Sequence, residues 1–354
     1  MRRLDIYIVR NFLFSFVGSL FLLVIVLVAI DVAEKIDDFV EKAVPFQALL
    51  TYYQNFIPFY ANLLTPLMIF LSVLFFTSRL AQRSEIIALL ANGVSFWRIF
   101  LPYFGTAGLL TGISLFFQLF ITPHNVRRIE EFEYKFIKNR VYFDKRQLHV
   151  KLTPEGYFFV RAFDKFDHIG FNAHIERIAG AQLIERFIAE EVRWISERQS
   201  WRFSRVWHFQ PSRPPRYISE MDTTLPLAPE DLIRSELYTR TMTLPELWAE
   251  YRRQKYVGGE IANLLEMELS ERIAIPMASI GLTAIGFASA SRKRRGGVAL
   301  QIGLGLVLAF VYVFLLAIAK SAFSGVSGGA WLGSWIPNCI FFPLALFWLW
   351  RVPK

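Results

Sequence analysis

Six long runs of this chain contain no aspartate, glutamate, lysine or arginine: residues 11–30, 43–78, 99–125, 273–291, 296–319 and 321–350. Each is near or above the roughly 20 residues an α-helix needs to cross a bilayer. Hydrocarbon offers no water to satisfy backbone N–H and C=O groups, so such runs must close their hydrogen bonds internally, as helices. The reading is therefore six transmembrane helices. Composition agrees: 54% of the residues are hydrophobic and 16% aromatic, too apolar for an ordinary soluble enzyme of 354 residues. The second run is too long for one upright span. Residues 45–55 are expected to lie along the outer interface, and Pro58 and Pro66 to bend the helix that follows.

The net charge of +9 could suggest nucleic acid. The basic residues cluster at the ends of the runs, however, where they set membrane orientation. Arg2, Arg3 and Arg10 open the chain, and Arg79, Arg83 and Arg98 flank the second connection. Arg292, Lys293, Arg294 and Arg295 precede the fifth run, and Arg351 and Lys354 close the chain. The first outer connection instead carries Asp31, Glu34, Asp37, Asp38 and Glu41 against Lys35 and Lys42. Both termini and both basic connections are thus expected in the cytoplasm. The first run has charged flanks on both sides and no small-residue cleavage site, so it reads as an anchor rather than a removed signal peptide.

Between the third and fourth runs the character changes. Alternation in GYFFVRAF and VRWISERQSWRFSRVWHF, with Val192, Trp194, Trp201, Phe203 and Val206 on one face, predicts strands. Turn signals recur at Thr153–Gly156, Asp164–Gly170 and Gln210–Ser212. NVRRIEEFEYKFIKNR reads as a helical stalk continuing the third span. TLPELWAEYRRQKYVGG and GEIANLLEMELSERIAIP read as helices leading into the fourth, with Thr243 capping the first of them and Glu246 three residues on. The layout is three spans, a folded outer domain, then three spans.

Catalytic signatures are lacking. No Gly-x4-Gly-Lys-Ser/Thr loop offers an ATP site, and no His-Glu-x-x-His helix offers a zinc site. Gly325-Val326-Ser327-Gly328 resembles a nucleophile motif of intramembrane serine proteases, but no histidine follows it to act as base. His149, His168 and His174 lack metal-ligand spacing, and the single cysteine, Cys339, excludes an intramolecular disulfide. No catalytic residue, metal or cofactor is expected.

Two features carry more information. Arg79–Arg98, RLAQRSEIIALLANGVSFWR, reads as an amphipathic surface segment. Ile86, Ile87, Leu89 and Leu90 would face the spans, and Arg83 and Glu85 would face water or a partner. Lys320 closes the apolar fifth span, where a lysine either snorkels to the interface or finds an anion: a substrate phosphate, or Asp31 at matching depth. The run Arg292–Arg295 sets topology or holds anionic headgroups or a cytoplasmic partner.

LDIYIVRNF, LAQRSEIIALLANGVS, SERIAIP, SRKRRGG and WIPNCIFF, in this order, resemble the permease family LptF/LptG (YjgP/YjgQ) of the lipopolysaccharide export ABC transporter. The resemblance covers both membrane halves and is weak across the outer domain. It implies an α-helical membrane protein of six transmembrane helices, arranged 3+3, with an inserted extracytoplasmic all-β, jellyroll-like domain. The expected division is residues 1–125 (spans 1–3, with a cytoplasmic coupling helix about 79–95), 126–270 (the periplasmic domain with its stalks) and 271–354 (spans 4–6). It further implies an inner-membrane transport subunit without catalysis of its own, paired F with G and driven by a cytoplasmic LptB ATPase dimer. LptC and a periplasmic LptA-type bridge are the other implied partners, and lipopolysaccharide is the substrate.

On this resemblance the candidate ATPase-coupling residues are Arg83, Glu85, Ile86, Leu89 and Gly93, with the family's acidic position at Glu85. The candidate phosphate contacts are Lys35, Lys42 and Lys320. Family members can place lysine at the outer end of the first span, where this chain has Asp31. AQRSE leans towards the G type and the lysine ending the fifth span towards the F type. The alternative function is a mechanotransmitting permease that works its outer domain without moving lipid.

Overall fold

The computed structural model describes residues 3–351 except 138–147, 153–154, 165–166, 180–181, 212, 226, 228, 230–235, 256–259, 293–296 and 327. Ser327 and Lys293–Arg295 therefore lie outside the described residues. Two compact units emerge: Met1–Phe132 with Thr239–Lys354, and Glu133–Tyr238.

In the first unit the uncharged runs form six helices long and apolar enough to cross a membrane. These are α1 (Arg3–Glu41), α2 (Phe46–Gln82), the pair α4 (Phe96–Phe116) and α5 (Thr122–Phe136), α8 (Glu260–Ala290), α9 (Gly297–Phe323) and α10 (Ala330–Arg351). The short α3 (Glu85–Ala91) lies between α2 and α4, and α6 (Glu236–Thr241) and α7 (Leu244–Lys255) precede α8. A π-helical turn, Phe117–Ile121, joins α4 to α5. Pro123 has no N–H to donate to the carbonyl of Leu119, so the helical ladder rephases here instead of stopping.

Residues 45–55, expected to lie along the interface, belong from Phe46 onward to one unbroken 37-residue α2. At 1.5 Å per residue this helix is about 55 Å long and must project beyond the hydrocarbon. The aromatic cluster Tyr52, Tyr53, Phe56, Phe59 and Tyr60 marks that projecting part, the kind of side chain that settles at a membrane–water interface.

Helices α2 and α8 form the centre. α1 packs on α2 and α4, and α9 packs on α2 and α10, while α4 and α10 both pack on α8. One face of the bundle is thus α1–α2–α9 and the other α4–α8–α10. Between apolar helices in lipid, close backbone approach replaces hydrophobic sorting. At Gly305 on α9 a Cβ would stand 2.3 Å from Leu74 Cδ1 on α2, so any larger residue must displace that side chain. Hydroxyl and amide pairs add direction: Thr111 and Ser279 are 2.6 Å apart, and Asn338 Nδ2 donates to the Ala274 carbonyl at 2.8 Å. The expected cap forms on α7. Glu246 accepts from the Thr243 backbone N–H at 2.8 Å, and that bond, with Arg127 nearby, holds its carboxyl below the usual range.

The second unit is an antiparallel sheet of six strands in chain order: β1 (Leu148–Lys151), β2 (Gly156–Asp164), β3 (Ile169–Ala179), β4 (Gln182–Ile195), β5 (Ser200–Gln210) and β6 (Arg213–Thr223). This is the inserted all-β domain, and its described strands run as a simple meander. Val192, Trp201, Phe203 and Val206 are buried in its core as the alternation required, and Trp194 packs against them. The spacing of three from Phe203 to Val206 breaks strict period two, and the reason is structural. The paired rows Val160/Ala173/Ala189/Val206 and Phe163/Gly170/Val192/Phe203 both face inward. Each strand therefore carries one extra residue at the same level, with Asn172 and Arg205 in the left-handed region at φ 52° and 56°. Gly170 sits at the centre of this inner face. An added Cβ would meet Val192 Cγ1 at 2.6 Å and Val160 Cγ2 at 2.9 Å.

Candidate functional site

The segment from Arg79 to Arg98 is not one amphipathic helix. Arg79 to Gln82 complete α2, and Ser84, in the left-handed region at φ 59°, turns the chain into the seven-residue α3. Gly93 at φ 78° ends it in a conformation that costs glycine little. Ser95 then caps α4, its hydroxyl accepting from the Arg98 N–H. Ile86 is 2% exposed and Leu89 and Leu90 pack partly against the helical core, as expected. Ile87 is the correction: one residue, or about 100°, further round so short a helix, it stands 54% exposed.

Glu85 is not simply turned to water. The phenol of Tyr7, on α1, donates to its Oε2 at 3.2 Å, and Arg83 lies 3.9 Å away. A second tie is shorter: Arg98 Nη2 donates to Asp5 Oδ2 at 2.6 Å, joining the start of α4 to the start of α1. The exposed Arg83–Glu85 pair contributes little. Two side chains of α1 therefore hold both ends of the connection, while Ile87, Ala88, Ala91, Asn92 and Gly93 leave an exposed face beside them.

At the far end of α1 the candidate cations are already engaged. Asp31 is buried; Lys35 approaches it at 2.6 Å, and Tyr52 and Tyr53 donate to it at 3.2 and 3.0 Å. Lys35 also stands 5.0 Å above the Tyr52 ring. Lys42 pairs with Asp38 at 3.0 Å. In each case the partner is the carboxylate one helical turn earlier.

Lys320 does not reach Asp31, the partner considered from depth alone. It pairs with Glu271 on α8 at 2.7 Å. The next residue, Arg272, 1% exposed, donates through Nε to Glu268 at 2.9 Å and through Nη2 to the Thr239 and Arg240 carbonyls. Buried charge survives only when paired and hydrogen-bonded in this way.

Sequence reasoning missed Asp5, Tyr7 and Glu271. Glu268, Glu271 and Arg272 at i, i+3 and i+4 share one helix face directly before the fourth uncharged run, and that spacing was a usable signal. Asp5 and Tyr7 gave none, because their partners lie 93 and 78 positions away.

Residues 6–351 match the family described as lipopolysaccharide export system permease LptF/LptG. No curated protein matches the chain. With that match over essentially its whole length, six apolar helices and an antiparallel sheet inserted between the third and fourth, the chain belongs to the LptF/LptG family of lipopolysaccharide export permeases, multi-pass proteins of the inner membrane.

Proposed function

We propose that this permease extracts lipopolysaccharide from the inner membrane under the drive of a separate ATPase dimer, of the LptB kind, that grips α3. Both termini and α3 lie in the cytoplasm in this reading, and the sheet lies in the periplasm. The observation that carries it is the double tie of α3 and α4 to the start of α1, Tyr7–Glu85 and Asp5–Arg98. A push on the exposed edge of α3 reaches α1 directly through these contacts. Arg83, Glu85, Ile86, Leu89 and Gly93 are the coupling residues, with Ile86 and Leu89 seating the segment and Glu85 and Arg83 at its polar edge.

The partner permease packs on the α1–α2–α9 face. Two observations support this: α1 and α9 are the least covered of the six spans, and their outward residues include Phe14, Phe21, Phe310 and Phe314. The cavity between the two permeases takes acyl chains. Phosphates of the substrate meet Lys35, Lys42 and Lys320 by exchanging with the carboxylates that now hold them. The sheet, with LptC beside it, passes the lipid to the LptA-type bridge along an apolar inner face.

The test is reconstitution with the ATPase and measurement of ATPase recruitment and ATP-dependent lipid release. Glu85→Ala is expected to lose both; wild-type coupling in that variant would remove α3 from the mechanism. A photo-crosslinker at position 320 that captures no lipopolysaccharide would instead favour a permease that only works its outer domain.

A further inference from the structure

On the face opposite the proposed partner interface, α4 and α10 each pack on α8 without closing against each other. They leave a cavity of about 580 Å³, lined by Trp97, Leu101 and Phe104 of α4, Ala284 of α8 and Leu346 of α10. Its size falls in the usual range for a small-molecule site. It opens sideways: Leu101 and Leu346 are 60% and 66% exposed. Along α4 it runs from the cap Ser95 to Phe104, so it is about 13 Å deep at 1.5 Å per residue. That depth places it in one leaflet, the one on the side of α3 and of the chain's two ends.

The apolar groove ends in a cationic rim. Arg98 lines it directly, while Arg351 stands on the other side of α10 from the lining residues, over the Phe347 ring. Arg292, just past the end of α8, donates to the Arg351 carbonyl at the end of α10, 3.0 Å away. Asp5 pairs with Arg98. Trp97, half exposed at the same level, is the side chain that prefers the boundary between headgroups and hydrocarbon.

We propose that this groove is a binding site for an anionic glycerophospholipid. One acyl chain lies between α4, α8 and α10, and the phosphate sits at the rim between Arg98 and Arg292. In hydrocarbon a groove of this volume is filled either by a lipid chain or by a neighbouring helix, because an empty one forfeits dispersion contacts along its whole lining. Lipid is favoured over a helix by the rim. Clustered arginines at the end of membrane helices attract anionic headgroups, whereas a hydrophobic helix offers them nothing. It is also favoured by position, since the spans with the largest uncovered apolar surface, α1 and α9, lie on the other face.

The experiment uses the full-length permease in mild detergent, equilibrated with phosphatidylglycerol or phosphatidylethanolamine and examined by native mass spectrometry. The wild type is expected to retain phosphatidylglycerol at least fivefold over phosphatidylethanolamine. Leu101→Trp with Leu346→Trp, both at exposed positions, fills the groove and should lower retention of phosphatidylglycerol about tenfold. Arg292→Gln, which leaves the Asp5–Arg98 pair intact, should keep retention but abolish the preference. Equal retention of the two lipids by the wild type, or unchanged phosphatidylglycerol retention in the filled variant, overturns the proposal. So does a photo-crosslinker at position 346 that captures a protein subunit in place of lipid.

Discussion

Tyr7 and Glu85, separated by 78 positions, are joined by a 3.2 Å hydrogen bond from the phenol to the carboxylate. The bond is exposed, so its removal should hardly change stability. Tyr7→Phe is expected to keep the melting temperature and the co-purification of the ATPase. It should lower ATP-dependent lipid release roughly fivefold, the scale of a single residue on a coupling route. Release at the wild-type rate would show that α1 is moved by other contacts.

The Lys320–Glu271 pair separates two roles for one lysine. Glu271→Gln and Lys320→Gln should each destabilise the permease by about 3 kcal/mol, the usual consequence of stranding one member of a buried pair. The exchanged variant, Glu271→Lys with Lys320→Glu, should recover most of the melting temperature. If Lys320 also meets substrate phosphate, that variant recovers stability but not lipid release. Recovery of both would reduce Lys320 to a structural partner of α8.

Gly170→Ala puts a methyl group 2.6 Å from Val192 Cγ1 in the inner face of the sheet. We expect a loss of about 1–3 kcal/mol from overpacking. Limited proteolysis would show it as faster cleavage within residues 133–238 of the intact protein, with the membrane helices unaffected. Gly303→Ala on α9, whose added Cβ meets nothing within 4 Å, is the neutral control.

His174 lies in β3 against the Phe159 ring. Burial, opposed by Glu176 and reinforced by Arg186, pushes its pKa down. The folded sheet therefore holds it neutral, while the unfolded chain takes up a proton near the ordinary value of about 6.5. Unfolding is favoured by that uptake, so the contribution is complete above about pH 6.5 and declines as the pH falls towards the folded value. Thermal unfolding of the sheet, followed by proteolysis at pH 7.5 and pH 5, should show a loss at pH 5 that His174→Gln diminishes. An equal loss in that variant would assign the pH dependence to other groups.

The spans were legible because a bilayer leaves so few solutions: an uncharged run of that length has to be a helix, and α4 begins at Phe96, three residues before the third run. The alternation of β4 and β5 was legible up to Phe203 and then changed phase. That change depends on Asn172 and Arg205 entering the left-handed region together, on different strands. No local propensity encodes an agreement between strands. The connection between the second and third spans contains a helix, but a shorter one than the amphipathic reading suggested. Two residues, Arg83 and Ser84, separate α2 from α3 in a turn built on Ser84, and a serine at positive φ is not a signal that composition carries. Long-range ties such as Asp5–Arg98 exist only once the helices are packed.

The charges of α8 have a consequence for how the protein is made. Glu271 finds its cation on α9, which is synthesised later, whereas Arg272 is satisfied by Glu268 and by carbonyls that come before it. As α8 leaves the ribosome it therefore carries, just ahead of its uncharged run, a carboxylate whose ion pair with α9 has yet to form. Until Lys320 arrives, 49 residues on, that side chain must keep a proton or stay in a watery place. The outer end of the fourth span thus takes its final place only when the fifth has been made.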